Sequence, residues 1–355
     1  MSRKTTSLIK AALSALHYAR ADTMLAPLTG GAGVIFTLHH VRPEPPQDFE
    51  PNRILKITPE FLEAVLSEVL AAGFDVIGLD DVATRLAAGP AERPFACFTF
   101  DDGYRDNRDY ALPVFRKFGL PFTVFVPANF PTGNADLWWL VLEEAIRRAN
   151  TIDVPFEDGS RRYETSTVAA KERAFHEIYW QLRRMNEEAA RAIVSDLARQ
   201  NGVDGRALAR DLLLNWDELR ALASDPLVTI GAHTNDHYAL AKLPEDRARA
   251  EIVESIATLE KELGRPCRHF SFPYGDPGAA GEREFRLASE AGVATAVTTR
   301  KGLIHARHQN RLTALPRVSL NGDYQDTRFV KVFMSGAPFA LRDAAKRLFG
   351  ATAAA

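Results

Sequence analysis

The chain has 355 residues, 46% of them hydrophobic and 25% charged, and a formal net charge of −2. That length allows one large α/β domain or two ordinary ones, and that composition excludes a disordered or fibrous chain. No basic stripe interleaved with aromatics accompanies the near-neutral charge, so the clustered cations that nucleic-acid phosphates require are lacking and no nucleic-acid partner is expected.

The first element is a short helix over residues 7–20, whose apolar side chains recur at helical spacing. Lys10, His17 and Arg20 interrupt it, so it lacks the apolar run of a signal peptide, and nothing later approaches the roughly 18 apolar residues of a membrane-spanning helix. A cytoplasmic location is the expectation. After Gly30-Gly31-Ala32-Gly33, the run Val34–Leu38 reads as a buried strand ending at His39 and His40, and Pro43 to Pro51 reads as a loop. Thr58-Pro59-Glu60 starts a helix, with Thr58 as the cap and Pro59 in the first turn, and Gly73 stops it. Phe74–Leu79 is expected as a strand, followed by a helix from Asp80-Asp81, a strand at Phe95–Phe100, a helix at 107–118 and a strand at Phe122–Val126.

Residues 138–225 break this alternation. They are helix-rich, with Ile152–Phe156 the one strand candidate. The rhythm resumes with a strand at Val228–Ile230, a helix over 245–263, a strand at His269–Phe272, a helix over 282–291 and a strand at Thr295–Thr299. Strand alternating with helix predicts a parallel sheet wrapped by helices, here one α/β barrel-like domain with a helical insertion. The expected boundaries are a helical lead-in over 1–33, the barrel domain over 34–325 with its insertion at about 138–225, and a helical tail over 326–355. Cys97 and Cys267, the two cysteines, sit in or beside apolar runs and read as small buried hydrophobes.

Four segments place polar residues directly after apolar strands, where parallel α/β folds build their sites. Phe100-Asp101-Asp102-Gly103 ends a strand on two carboxylates. In extended backbone these point opposite ways, one toward a metal and one toward a water; taken alone, the same residues are an ordinary turn. His233-Thr234-Asn235-Asp236-His237 carries two imidazoles that reach one ion only if the loop coils or a helix begins there. With one Asp they form a divalent-metal set with open positions; by itself the pair could equally be two surface histidines. Phe272-Pro273-Tyr274-Gly275 is a turn whose backbone N–H groups could face an oxyanion, and Leu315-Pro316-Arg317-Val318 puts an arginine near the end of the last strand.

Together, in this order, with Asn215-Trp216-Asp217-Glu218 opening a helix between them, these segments resemble the polysaccharide deacetylase family, which includes the chitooligosaccharide deacetylases of nodulation. The resemblance spans roughly residues 34 to 320 and is weakest in the insertion. It implies a distorted (β/α) barrel and a hydrolase that removes an N-acetyl or similar acyl group from an amino sugar. It implies Asp101 as general base, Asp102, His233 and His237 as ligands of a divalent metal (Zn²⁺, with Co²⁺ as the second choice), and the backbone N–H of Tyr274 at the oxyanion. A catalytically inactive saccharide binder, a sugar O-deacetylase and a deformylase are the alternatives.

Two departures stand out. Ser271 occupies the position where better-known members carry an arginine, and no late apolar strand ends in the histidine that serves them as acid, which leaves His305 and His308 as weak candidates. Arg317 is the expected replacement for the missing arginine, since a guanidinium can grip Asp101 at two points. Trp138 and Trp139 read as core before they read as a sugar platform. The segment 329–349 mixes Phe, Val and Leu with Arg and Lys, and reads as a packed terminal helix or as a peripheral membrane contact.

Overall fold

The computed structural model describes residues 3–89 and 92–350. Seven parallel strands close a barrel: β1 (Gly33–Leu38), β2 (Phe95–Phe100), β3 (Phe122–Val126), β4 (Val228–Ala232), β5 (His269–Ser271), β6 (Thr295–Lys301) and β7 (Leu315–Ser319). Each strand pairs with the next in the chain, and β7 pairs back with β1, so chain order is also the order around the ring. β1, β2 and β3 are buried at every position, which is why they read as unbroken apolar runs rather than alternating ones. Helices cover the outside. Pro59–Ala71 starts as the sequence dictates, with the Thr58 side chain accepting from the Phe61 N–H, and Glu245–Leu263 ends on Gly264 in the left-handed region.

The strand expected over Phe74–Leu79 is reduced to Asp75–Val76 and lies outside the ring. The cause is local. β3 pairs with β2 only at Thr99 and Phe100, so the edge of β2 at Phe95 and Ala96 is free to take a two-residue partner.

The insertion is not wholly helical. Thr151–Phe156 pairs antiparallel with Gly159–Glu164, a strand the sequence reading missed. The first strand buries Ile152, Val154 and Phe156 on one face, whereas the second is almost entirely exposed and carries no apolar alternation to betray it. Around this hairpin, the helices Trp138–Arg148, Val168–Leu182 and Glu187–Gln200 enclose a hydrophobic cluster of their own, with Trp139, Leu142, Phe175, Ile178 and Leu197 in it. The leading helix Arg3–Tyr18 packs against the segment that follows the barrel, Leu13 meeting Tyr324, Phe329 and Val332. Phe329 and Val332 are thus spent on internal packing, and among the described residues no helix is long and apolar enough to cross a membrane. Cys97 and Cys267 are free and buried.

Candidate active site

The carboxyl ends of the strands bring His39 (after β1), Asp101 and Asp102 (after β2), His233 and His237 (after β4) and Tyr274 (after β5) to one cavity of about 930 Å³. Asp101 still belongs to the ladder, its N–H donating to the Leu38 carbonyl at 3.0 Å, while Asp102 turns out of it with φ 76°. The two carboxylates therefore diverge because the backbone turns left-handed at Asp102, not because an extended strand alternates as expected. Gly103 completes the turn at φ 67°, and a Cβ there would meet the Val126 side chain at 3.1 Å. The His233–His237 loop coils through left-handed Thr234 and His237, and no helix begins there. The Thr234 hydroxyl accepts from the His237 N–H at 2.9 Å. Of the five non-glycine residues with positive φ among the described residues, four (Asp102, Thr234, His237 and Tyr274) lie in this site, the kind of clustering expected where backbone strain serves function.

Asp102, His233 and His237 converge. Asp102 Oδ1 lies 3.3 Å from His237 Nε2 and 3.6 Å from His233 Nε2, and one ligand atom from each residue falls within 4.8 Å of the others. His233 donates Nδ1–H to the Ser271 carbonyl at 2.6 Å, which leaves Nε2 with its lone pair free. Asp102 Oδ1 is buried without a hydrogen-bond partner. A buried carboxylate oxygen and two imidazole nitrogens turned toward one point repel or waste each other unless a cation sits among them, so the donor set fits a divalent metal. Burial lowers the His233 pKa to about 4 against the pull of Asp101. Asp102 is held well below the usual carboxylate range, His237 and His39 outweighing the opposing effect of burial.

Arg317 is fully buried, and its guanidinium grips Asp101 at both oxygens, Nη1 to Oδ1 at 2.8 Å and Nη2 to Oδ2 at 2.6 Å. Its remaining donors reach Thr99 Oγ1, Ser271 Oγ and the Thr298 carbonyl, so all five are used. The small side chain of Ser271 accepts from the guanidinium that arrives from β7. Burial alone would raise the Asp101 carboxyl, but Arg317, with His233 behind it, outweighs burial and holds it at about 2.

Tyr274 sits at φ 61°, and among the described residues its N–H has no protein acceptor. Its phenol accepts from Trp138 Nε1 at 2.8 Å, and burial, then Glu187, pushes the hydroxyl pKa up, so it stays neutral. Trp138 and Trp139 are both buried. Trp139 also lines the cavity and packs against His237, with ring centroids 5.0 Å apart.

His305 and His308 do not reach the site. β6 ends at the carboxyl face, and the chain must return to the amino ends before β7 can start; both histidines lie on that return. His305 lines a separate cavity with Gly31, Gly33 and Phe95. The last strand, β7, ends at Ser319 and leads into Leu320. The apolar strand followed by a histidine is β1, whose end at His39 is legible in the sequence but carries no link there to the missing acid. Its position at the first strand rather than the last concealed it; in a closed ring β1 stands between β2 and β7, beside Asp101 and Arg317. Burial lowers the His39 pKa, while Asp102 and Asp101 pull it up. His40 is turned elsewhere, its Nδ1 2.6 Å from Asp106 Oδ2 and its ring stacked on Tyr104 at 3.5 Å.

The polysaccharide deacetylase family model matches residues 88–192 and 146–296, more than half of the chain. The fold is similar to that of the deacetylase PplD from Streptococcus pyogenes, at 14% identity and a TM-score of 0.57, covering 85% of this chain and 97% of that one. It is also similar to IcaB from Ammonifex degensii, at 17% identity and a TM-score of 0.53, covering 86% and 98%. A de-N-acetylase from Aggregatibacter actinomycetemcomitans matches at 12% identity and a TM-score of 0.51, covering 84% and 98%. No curated protein matches the sequence significantly. The chain belongs to the polysaccharide deacetylase family.

Proposed function

We propose that this protein hydrolyses the N-acetyl group of an amino sugar within a saccharide, releasing acetate and leaving a free amine. The observation that carries the reading is the pairing of an ionised carboxylate fixed by Arg317 with a convergent Asp102, His233 and His237 set at the same strand ends. Asp102, His233 and His237 would hold a divalent cation, Zn²⁺ first and Co²⁺ second, which supplies Lewis acidity that polarises the acyl carbonyl and acidifies water. Asp101 takes the proton of the attacking water. Arg317 keeps that carboxylate ionised and aimed, at the cost of some basicity. The Tyr274 N–H stabilises the oxygen that becomes negative as the carbonyl turns tetrahedral. His39 delivers the proton that the departing amine needs when the C–N bond breaks; its place in the cavity beside both carboxylates supports that role.

The test is mass spectrometry of a panel of N-acetylated, O-acetylated and N-formylated oligosaccharides incubated with the Zn²⁺- or Co²⁺-loaded protein. Loss of roughly 42 mass units per N-acetyl site is the expected result. Loss confined to O-acetyl sites, or of roughly 28 mass units from formyl sites, reassigns the acyl group. Binding without any turnover makes the chain an inactive saccharide binder.

A further inference from the structure

The insertion forms one wall of the catalytic cavity, and the chemistry above uses none of it. Helix Val168–Leu182 and the residue after it present Phe175, Tyr179, Trp180 and Arg183 to the cavity. Two observations on this wall lack a packing explanation. The first is Trp180. The insertion buries Trp138 and Trp139 to 5% exposure, yet leaves Trp180 44% exposed. Its ring is braced edge-on by Tyr179 at 5.4 Å, and Tyr179 in turn stacks on Trp138 at 5.1 Å. A large indole held rigid at a cavity wall and left open to water is a platform without its load.

The second is Arg183. Its side chain is more than nine-tenths buried, with Nη2 donating to Asp276 Oδ2 at 3.0 Å and the guanidinium 3.6 Å above the Tyr274 ring. Nη1 is buried with no acceptor. An unpaired cationic donor inside a protein is costly, and a ligand oxygen would relieve it. The cavity volume of about 930 Å³ stands at the upper end for small-molecule sites, more than one sugar ring needs. Of the carboxylates that line it, Asp101 is paired with Arg317 and Asp276 with Arg183, and Asp102 would be taken by the cation. Glu50, Glu177 and Asp323 remain beside Arg53 and Arg173, so the wall offers no excess of cations to a phosphorylated or acidic chain and a neutral one fits.

We propose that helix Val168–Leu182 and Arg183 form a second subsite, which holds the neutral sugar residue adjoining the one that is deacylated. The indole of Trp180 stacks on the apolar face of that ring, and Arg183 Nη1 donates to one of its oxygens. The inference rests on the deacetylase reading for its orientation, and its test separates the two. Trp180→Ala and Arg183→Lys are compared with the wild type on a tetramer of N-acetylglucosamine and on the single sugar, with metal content measured in parallel. The expected result is a KM for the tetramer raised roughly 10-fold in each variant. The kcat, the metal content and turnover of the single sugar should hold, and Trp180→Phe should recover part of the loss. An unchanged tetramer KM in either variant, or an equal loss on the single sugar, overturns the subsite. If the wild type hydrolyses neither sugar, the deacetylase reading fails, and calorimetric titration with the tetramer decides the subsite alone. Binding weakened roughly 10-fold in both variants upholds it; equal affinity, or no binding by the wild type, overturns it.

Discussion

The barrel and the insertion both enclose aromatic cores, yet they hold their side chains in opposite ways. The barrel puts Asp102, Thr234, His237 and Tyr274 into left-handed backbone at its strand ends, and it buries polar groups such as Asp101, Asp102, His233 and Arg317. Among the described residues of 138–225, no residue other than glycine has positive φ. There the helices after Trp138–Arg148 begin on ordinary caps: Thr167 accepts from Ala170, Asn186 from Glu188 and Ala189, and Asp204 from Ala207. Backbone strain is concentrated where bonds would be made and broken, and the backbone of the cavity wall that faces the rest of a substrate is relaxed. Variants in the two regions should therefore fail differently.

The largest effect is expected at the metal set. His233→Ala should abolish stoichiometric metal binding and turnover while the far-UV circular dichroism stays native, because a catalytic metal contributes less to folding than a structural one. Full metal content in that variant would remove the ligand set from the argument. Asp101→Asn should keep its metal and lose turnover by roughly 10²–10⁴-fold, the range for a lost general base. Near-normal kcat there would mean that another group takes the water proton. Arg317→Lys keeps the charge but not the two-point grip, and a fall in kcat of roughly 10-fold at unchanged metal affinity is expected.

The insertion should answer in stability. Phe175→Ala empties part of its separate core and should cost about 3–5 kcal/mol, read by denaturant unfolding, while metal still binds to the barrel. Loss of metal together with the fold would show that the two regions do not act separately. The smallest effect concerns their seam, where Glu218 binds Arg105 and Arg108, just past Asp101 and Asp102, and closes a capping box on Asn215. Burial would raise Glu218, but Arg105, then the Asn215 backbone and Arg108, hold it at about 2, below its ordinary 4.5. A depressed carboxylate stabilises the fold above its unfolded pKa, and that contribution fades as pH falls from about 4.5 toward about 2. The Tm gap between wild type and Glu218→Gln should therefore be widest near neutral pH and narrow in acid; a gap that widens in acid reverses the sign and the assignment.

Much of this was legible along the chain, because the signals were local. β1, β2 and β3 are apolar runs followed by a turn, and the Thr58 cap and the Gly264 stop are set by neighbouring residues. The adjacency of Asp101 and Asp102 and the spacing of His233 and His237 were likewise local, as was the arginine fixed behind Pro316. What the sequence could not express depends on closure and on backbone pairing. The strand Gly159–Glu164 is held by backbone hydrogen bonds that leave no mark in side-chain pattern. The left-handed turns at Asp102, Thr234 and Tyr274 fall on residues that give no glycine signal. His39 is 62 positions before Asp101, and only the pairing of β1 with β2 makes them neighbours. Likewise, Trp180 resembles any other helix aromatic until the fold turns it toward the cavity. Residue type and local spacing determine which elements form and which groups are present. The ring of strands decides which of those groups meet, since burial and pairing act between residues far apart in the chain.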